Sequence, residues 1–240
     1  MAAEKRPRCP AADDRTLKLS NIRRVVQSTS WIVVVLVIGL GWRYPLLGYA
    51  VPIVMITGMV GGFVRGRYVC GWFCPRGAFF DRIMKPLSPK RDIPRWLRGP
   101  GFRWTVFTAL MGFMVYQISL NPGSFDHWGT VFFRICVITT GIGVVLAILI
   151  HPRAWCSFCP IGTFQAAVGG DKCRLEISEG CVSCGACERA CPINLRIPGD
   201  CENGRLCSRD CLKCPECQLA CPLGLLQFPK RNQTGTDDYA

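Results

Sequence analysis

Four long apolar stretches, separated by polar segments, dominate the pattern of this chain. They cover about residues 25–42, 46–64, 102–120 and 130–150. Each is close to the roughly 20 residues that an α-helix needs to cross a bilayer. The first stretch follows a basic segment and lacks the small-residue cleavage site of a signal peptide. The pattern therefore predicts four transmembrane helices.

The second and fourth apolar stretches are followed by copies of one motif, Phe-Cys-Pro-x-Gly-x-Phe. The first copy contains Cys74 and is preceded by Cys70, and the second contains Cys159 and is preceded by Cys156. Because two helices precede each copy, we predict a duplicated unit of a hairpin, a cysteine motif and a short interfacial helix. Two units in the same orientation would bring the four cysteines together at the membrane face.

Three interpretations of these four cysteines remain open at this point: a third metal site, a redox-active thiol set, or packing of the repeat interface. Pro75 and Pro160 are typical of the first turn of a helix, which would place Cys74 and Cys159 at helix N-termini. There the helix dipole is expected to lower the pKa of a thiol and to favour a thiolate or an anionic cluster.

Towards its C-terminus the chain contains the run C-x2-C-x2-C-x3-C-P twice. This run is the signature of bacterial two-cluster ferredoxins, in which the fourth cysteine of each run binds the other cluster. We therefore predict two [4Fe-4S] clusters. The first would be bound by Cys181, Cys184, Cys187 and Cys221. The second would be bound by Cys211, Cys214, Cys217 and Cys191.

Other uses of cysteine fit this region less well. Zinc sites often include histidine, and the two runs contain none. A disulfide framework would need an oxidising compartment, which the charge distribution below does not favour. Cys136 lies in an apolar run and is predicted to be a small buried hydrophobe. The remaining cysteines are interpreted as spare structural thiols: Cys9, Cys173, Cys201 and Cys207.

The predicted fold class is a mainly α membrane protein, with four transmembrane helices as two repeated hairpins and a small α+β ferredoxin-like domain that holds two clusters. The expected domains are a basic N-terminus at 1–24, the transmembrane domain at 25–169 and the ferredoxin-like domain at 170–229. A polar tail at 230–240 is expected to be disordered.

The net charge of +13 is concentrated in the N-terminal segment and in the connection at 65–103. By the positive-inside rule, both termini and the ferredoxin-like domain face the cytoplasm, as in a multi-pass protein of a bacterial or archaeal inner membrane. Membrane topology accounts for this charge, so the expected partner is the lipid bilayer and no nucleic acid is predicted.

Histidine limits the cofactors that the chain could hold. The two histidines, His127 and His151, would lie about 36 Å apart on one helix, so they cannot together bind one haem. The chain also shows no nucleophile–base set, phosphate loop or dinucleotide fingerprint, and no catalytic residue is predicted. These observations favour an electron carrier over an enzyme with its own substrate pocket.

At these residues the chain resembles the NapH/MauN-type membrane iron–sulfur proteins, and it shares the C-x3-C-P and ferredoxin parts with the related CcoG and NosR proteins. The resemblance covers about residues 22–228. The second membrane-face pair, Cys156 and Cys159, has two intervening residues where the family commonly has three. The resemblance implies an electron-transfer subunit of quinol dehydrogenase type that works with other redox subunits.

The leading hypothesis is therefore a relay of electrons between membrane quinone or quinol and a redox partner in a larger complex. A reductase or maturation factor similar to CcoG, which serves a metalloenzyme, is a second hypothesis. A redox-sensing regulatory membrane protein is a third.

Overall fold

The computed structural model describes residues 14–89, 91–202 and 204–229. The predicted tail, Cys9 and most of the basic N-terminus lie outside the described residues. Four helices are long: α1 (Asp14–Leu40), α2 (Ala50–Arg65), α5 (Pro100–Ser119) and α6 (Phe125–Leu149). The short helices α3 (Tyr68–Trp72) and α4 (Pro75–Phe79) follow α2, and α7 (Pro160–Gly169) follows α6.

The long helices run alternately towards and away from the C-terminal domain. Close to the start of α5, Arg103 binds Asp210 of that domain. At the opposite end, which we call the far end, Nε2 of His127 at the start of α6 lies 2.9 Å from the carbonyl oxygen of Gln117 near the end of α5. The hydroxyl of Tyr49, just before α2, donates to the carbonyl oxygen of Phe125 over 2.9 Å.

Three of the long segments are long and apolar enough to cross a membrane: Asp14–Leu40, Pro45–Arg65 and Phe125–Leu149. The third predicted span, at 102–120, corresponds to α5, a helix of 20 residues. Arg103, Tyr116 and Gln117 make α5 less apolar than the others, so its crossing of the membrane stays a prediction. Helix α1 begins well before the apolar stretch, because Ser20, Arg23 and Gln27 are buried against the rest of the protein.

Glycines allow the two repeats to pack closely, as expected for the second apolar stretch. A Cβ atom on Gly58 or Gly62 of α2 would lie 2.9 or 3.0 Å from the side chain of Gln165 in α7. The Nε2 atom of Gln165 donates to the carbonyl oxygen of Gly58 over 2.7 Å. The second helix of the first hairpin therefore packs directly on the interfacial helix of the second.

The C-terminal domain is a small α+β unit. Its sheet has the order β2-β3-β1-β4 and is antiparallel at each pairing, with β1 (Glu176–Ile177), β2 (Cys201–Glu202), β3 (Arg205–Leu206) and β4 (Leu226–Gln227). Helices α8 (Ala186–Ala190) and α9 (Glu216–Ala220) pack against each other. The core between them consists mostly of aliphatic side chains.

Candidate functional site

The two ferredoxin runs adopt the same local backbone. Ser183 and Lys213, each two residues after the first cysteine of its run, have φ of 50° and 53°. Asn194 and Gly224, each three residues after the fourth cysteine, have φ of 52° and 64°. The left-handed backbone at these residues forms a tight turn in each loop. In the second loop the backbone N–H of Lys213 donates to Sγ of Cys211 over 3.5 Å.

The four cysteines predicted for the first cluster line one apolar pocket. Cys181, Cys184 and Cys187 come from the first run, and Cys221 comes from the end of the second run. Ile177, Ile197 and Leu226 form part of the same wall. Cys181 and Cys184 are exposed, whereas Cys187 is buried. A cluster bound here would therefore lie at the outer surface of the domain.

The four cysteines predicted for the second cluster are neighbours inside the protein. Burial and the proximity of Cys214 and Cys191 raise the pKa of the Cys211 thiol to about 12. Burial raises the pKa of the Cys214 thiol to about 11, and Cys217 is raised well above its usual value by burial and by the other three cysteines. Clustered thiols of this kind ionise together only when a cation binds them.

The repeat brings Cys70, Cys74, Cys156 and Cys159 together. Each is partly or fully enclosed, and the thiols are close enough that Cys70 and Cys156 both interact with Cys74 and Cys159. Cys74 and Cys159 are the N-cap residues of α4 and α7, and Pro75 and Pro160 occupy the first turns. The predicted positions of the cysteines at helix N-termini are therefore correct.

The expected effect of the helix dipole on Cys74 is wrong for the free thiol. Burial raises the pKa of the Cys74 thiol, and this outweighs the backbone N–H of Gly77, which favours the thiolate. Burial likewise raises the pKa of Cys156 to about 12. In a low-dielectric environment, the free energy lost by desolvating a thiolate exceeds the stabilisation that the N-terminus of one short helix provides. These thiols are protonated unless a bound cation stabilises the thiolates.

Two buried arginines cross between the repeats at this site, and the sequence analysis missed them. Arg67 lies three residues before Cys70 and donates to the carbonyl oxygen of Cys156. Arg153 lies three residues before Cys156 and donates to the carbonyl oxygen of Cys70 over 3.2 Å. Both side chains are 1% exposed. The shared Arg-x-x-Cys spacing was the available signal.

Each arginine also binds an aspartate. Arg153 donates to both carboxylate oxygens of Asp81, over 2.7 and 2.6 Å. Arg67 donates to Asp210 over 2.9 Å, and Asp210 is also bound by Arg103. The guanidinium groups hold the pKa of both carboxyls below the usual range, despite burial. The positive charges are thereby fixed in place beside the cysteines.

Unpaired donors support a cofactor at this site. The Nε atom of Arg67 and Nε1 of Trp155 are buried and have no hydrogen-bond partner among the described residues. Such atoms usually have a partner. The sulfide and thiolate sulfurs of an iron–sulfur cluster accept hydrogen bonds, so an N–H beside four clustered cysteines fits such a group.

No three histidine, cysteine, aspartate or glutamate side chains in the described residues converge closely enough to hold a single metal ion. A [4Fe-4S] cluster does not require that spacing, since its four thiolates bind four different irons. Among the spare thiols, Cys136 is buried as predicted, and Cys201 donates to the carbonyl oxygen of Ile197 over 2.8 Å. Cys173 and Cys207 are partly exposed.

An apolar pocket between α5 and α6 reaches the second cysteine motif. Its inner wall contains Trp155 and Phe158, which flank Cys156 in sequence. Leu110 and Phe113 of α5 and Ile138 of α6 line its outer part. The pocket therefore ends at residues next in sequence to Cys156 and Cys159, although neither cysteine lines it.

Comparisons with known proteins identify the same region. The family model for a 4Fe-4S binding domain, Fer4_5, matches residues 47–94 and 133–174, and each segment contains one membrane-face cysteine pair. The methylamine utilization ferredoxin-type protein MauN of Methylobacillus flagellatus is 31% identical over 57% of this chain and 53% of its own length. No solved structure matches.

Two relatives from Methanocaldococcus jannaschii are also similar. The uncharacterized protein MJ0750 is 27% identical over 63% of this chain and 67% of its own length, and MJ0749 is 25% identical over 62% and 60%. The chain thus spans about half to two thirds of the curated relatives that it matches. The match to a 4Fe-4S binding domain and the similarity to MauN support the resemblance to the NapH/MauN-type 4Fe-4S ferredoxin proteins.

Proposed function

We propose that the protein relays electrons between a membrane quinone and a redox partner, through three iron–sulfur sites arranged in a row. The innermost site comprises Cys70, Cys74, Cys156 and Cys159. The second and first ferredoxin clusters follow, with the cysteines assigned to them above. Bound clusters supply one-electron transfer, and the residues of the chain set their spacing, burial and charge.

The packing of Cys70 is the observation that carries this proposal. Cys70 belongs to the membrane-face site and also packs against the core of the ferredoxin-like domain. Trp72 donates from Nε1 to the carbonyl oxygen of Lys213, inside the loop of the second cluster, over 3.1 Å. These contacts support a close approach between the proposed inner site and the proposed second cluster.

The outer end of the row supports an exit to a partner. Cys181 and Cys184 are exposed, and the side chains of Val182 and Leu223 beside them are 69% and 40% exposed. An exposed apolar rim around a cofactor is typical of a surface on which another redox protein docks. The structure thus supports an enclosed inner end and an open outer end.

The apolar pocket between α5 and α6 is the proposed quinone site. Its aliphatic and aromatic lining suits an isoprenoid tail. At its inner end, Thr139 lines the pocket and accepts a hydrogen bond from Nη2 of Arg76 over 2.8 Å. Oxidation of a quinol releases two electrons and two protons, so the electrons would leave one at a time past Trp155 and the adjacent Cys156.

Iron analysis tests the number of sites. Protein purified anaerobically in detergent should contain about twelve irons and twelve acid-labile sulfides per chain, and Cys74→Ser should lower both by about four. Cys136→Ser is the matched control, since Cys136 is buried close by but lies outside the row, and it should leave the iron content unchanged. About eight irons in both the wild type and Cys74→Ser would exclude the inner cluster.

A blocking variant tests the quinone site. Leu110→Trp fills the pocket, whereas Val115→Trp places the same side chain on an exposed position of the same helix. We expect Leu110→Trp to slow cluster reduction by a quinol at least tenfold while reduction by dithionite is unchanged. Equal rates for the two variants would exclude this pocket as the route.

A further inference from the structure

The two ferredoxin loops are alike in backbone but differ in charge at one matched position. Ser183 and Lys213 each stand between the first and second cysteine of a run, and both adopt left-handed backbone. Ser183 is exposed, whereas Lys213 is 7% exposed. A buried lysine in one of two otherwise matched cluster loops calls for an explanation, because burial of an ammonium group is costly.

Backbone carbonyls, not a carboxylate, stabilise the ammonium group of Lys213. Its Nζ donates to the carbonyl oxygens of Gly169, over 3.3 Å, and Lys172. No carboxylate of the described residues lies within ion-pair distance of Nζ. The carbonyl oxygens hold the ammonium group in position near Cys211; burial lowers the pKa of Lys213, and the negative charges of Cys173, Cys211 and Asp171 oppose this effect.

Other cations reinforce this difference between the two sites. The guanidinium of Arg23 lies near Cys214 and favours its thiolate. Arg98 donates to the carbonyl oxygens of Ile193 and Asn194, over 2.6 and 2.8 Å, and favours the thiolate of the nearby Cys191. In the first loop Arg189 donates to the carbonyl oxygen of Cys184 over 3.3 Å, but this arginine is exposed, and Glu188 disfavours the thiolate of Cys187.

We infer that Lys213 is a tuning residue that raises the reduction potential of the second cluster above that of the first. Reduction adds a negative charge to a cluster, and a cation fixed nearby stabilises the reduced form. Water around Cys181 and Cys184 also stabilises the reduced form of the first cluster, and this effect opposes the difference in potential. The buried ammonium acts at low dielectric, where a charge has a larger effect.

The potential difference would place a shared electron mainly on one cluster. In a protein that holds a single electron on its two ferredoxin clusters, the second cluster would be the one reduced. This inference rests on the proposed relay, because it requires both ferredoxin clusters to be present.

Redox titration of the purified full-length protein, followed by EPR, tests the assignment. A Cys184→Ser variant perturbs the first cluster and so identifies its signal. We expect Lys213→Ser, which copies the first loop, to lower the potential of the second cluster only. Lys213→Arg should leave the potential of the second cluster as in the wild type, and Ser183→Lys should raise the potential of the first cluster.

The outcomes separate the tuning role from a structural one. A Lys213→Ser protein with full iron content and unchanged potentials would overturn the inference, as would a wild-type second cluster lower in potential than the first. If Lys213→Ser loses iron, Lys213→Gln, which keeps a hydrogen-bond donor at this buried position but carries no charge, decides the question: an unchanged second potential overturns the inference and a lowered one supports it. Failure to find about eight ferredoxin irons in the wild type would instead overturn the relay itself.

Discussion

Arg67 and Arg153 occupy equivalent places in the two repeats, and each reaches across to the first cysteine of the other repeat. Arg67 binds the carbonyl oxygen of Cys156, and Arg153 binds that of Cys70. A built Cβ on Gly162 or Gly77 would lie 2.6 or 3.2 Å from the guanidinium of Arg67 or Arg153, respectively. Neither repeat completes its cysteine loop alone, because each depends on the arginine of the other.

Removal of Arg153 should damage the inner site. Arg153→Gln leaves the buried carboxylate of Asp81 with Arg23 as its remaining ion-pair partner. Breaking a buried ion pair from one side costs about 3–5 kcal/mol. We expect a lower midpoint of thermal unfolding in detergent and a loss of about four irons per chain.

The exposed Arg43 provides the control for this substitution. Arg43→Gln should leave both the unfolding midpoint and the iron content as in the wild type. If Arg153→Gln behaved like Arg43→Gln, the crossed arginines would have no part in holding the cysteine loops.

Contact between α3 and the second ferredoxin run depends on Gly71. A Cβ there would lie 2.4 Å from the carbonyl oxygen of Leu212, and the carbonyl oxygen of Gly71 accepts from Nε of Arg23 over 3.0 Å. Gly71→Ala should therefore push the ferredoxin-like domain away from α3. Limited proteolysis should cut faster near Lys172, and electron transfer from quinol to the first cluster should slow at least tenfold.

Gly112 offers a matched comparison, since a Cβ on this residue of α5 meets nothing within 4 Å. Gly112→Ala should leave proteolysis and electron transfer unchanged. Equal behaviour of the two alanine variants would show that the close approach of Gly71 and Leu212 does not couple the two parts.

His151 should make stability depend on pH. Burial and the positive charges of Arg98 and Arg153 lower its pKa to about 4, and Asp81 and Asp92 oppose this only in part. Unfolded His151 has a pKa near 6.5, so the unfolded state binds a proton that the folded state does not. The contribution of neutral His151 to the free energy of unfolding is therefore fully present above about pH 6.5. It decreases as the pH falls towards 4.

When the pH is lowered from 7.5 to 5.5, His151 should decrease the free energy of unfolding by about 1 kcal/mol. Denaturant titration in detergent at the two pH values measures this change. His151→Gln should remove that part of the pH dependence, whereas His127→Gln at the far end should not. A wild-type protein with the same stability at both pH values would contradict the assigned neutral state of His151.

The spacing of polar and apolar residues was enough to predict the helices and the cysteine motifs. Pro75 and Pro160 indicated where α4 and α7 begin, because a residue at the first helical position needs no backbone N–H. Helix α1 begins eleven residues before the first predicted span, at Asp14. Arg23 and Gln27 are polar but buried, and the partners that make their burial favourable, such as Asp81, are distant in sequence.

The charge pattern concealed part of the site. Arg67, Arg98 and Arg103 were counted with the basic segments that set membrane orientation, yet they bind Asp210 or the loop of the second cluster. Nothing in the local sequence separates an arginine that faces lipid headgroups from one that faces a distant aspartate. Only the fold makes that distinction.

If clusters are bound as proposed, the contrast between the exposed Cys181 and Cys184 and the buried Cys214 and Cys217 would also set an order of damage in air. Dioxygen that diffuses from the aqueous phase meets the outermost iron first, while the inner irons stay behind packed aliphatic side chains. A protein that had lost only the outer cluster would no longer exchange electrons with its partner, although electron transfer at the membrane face would still be possible. Repair would then require only the accessible site to be reloaded, with the deeper sites left intact.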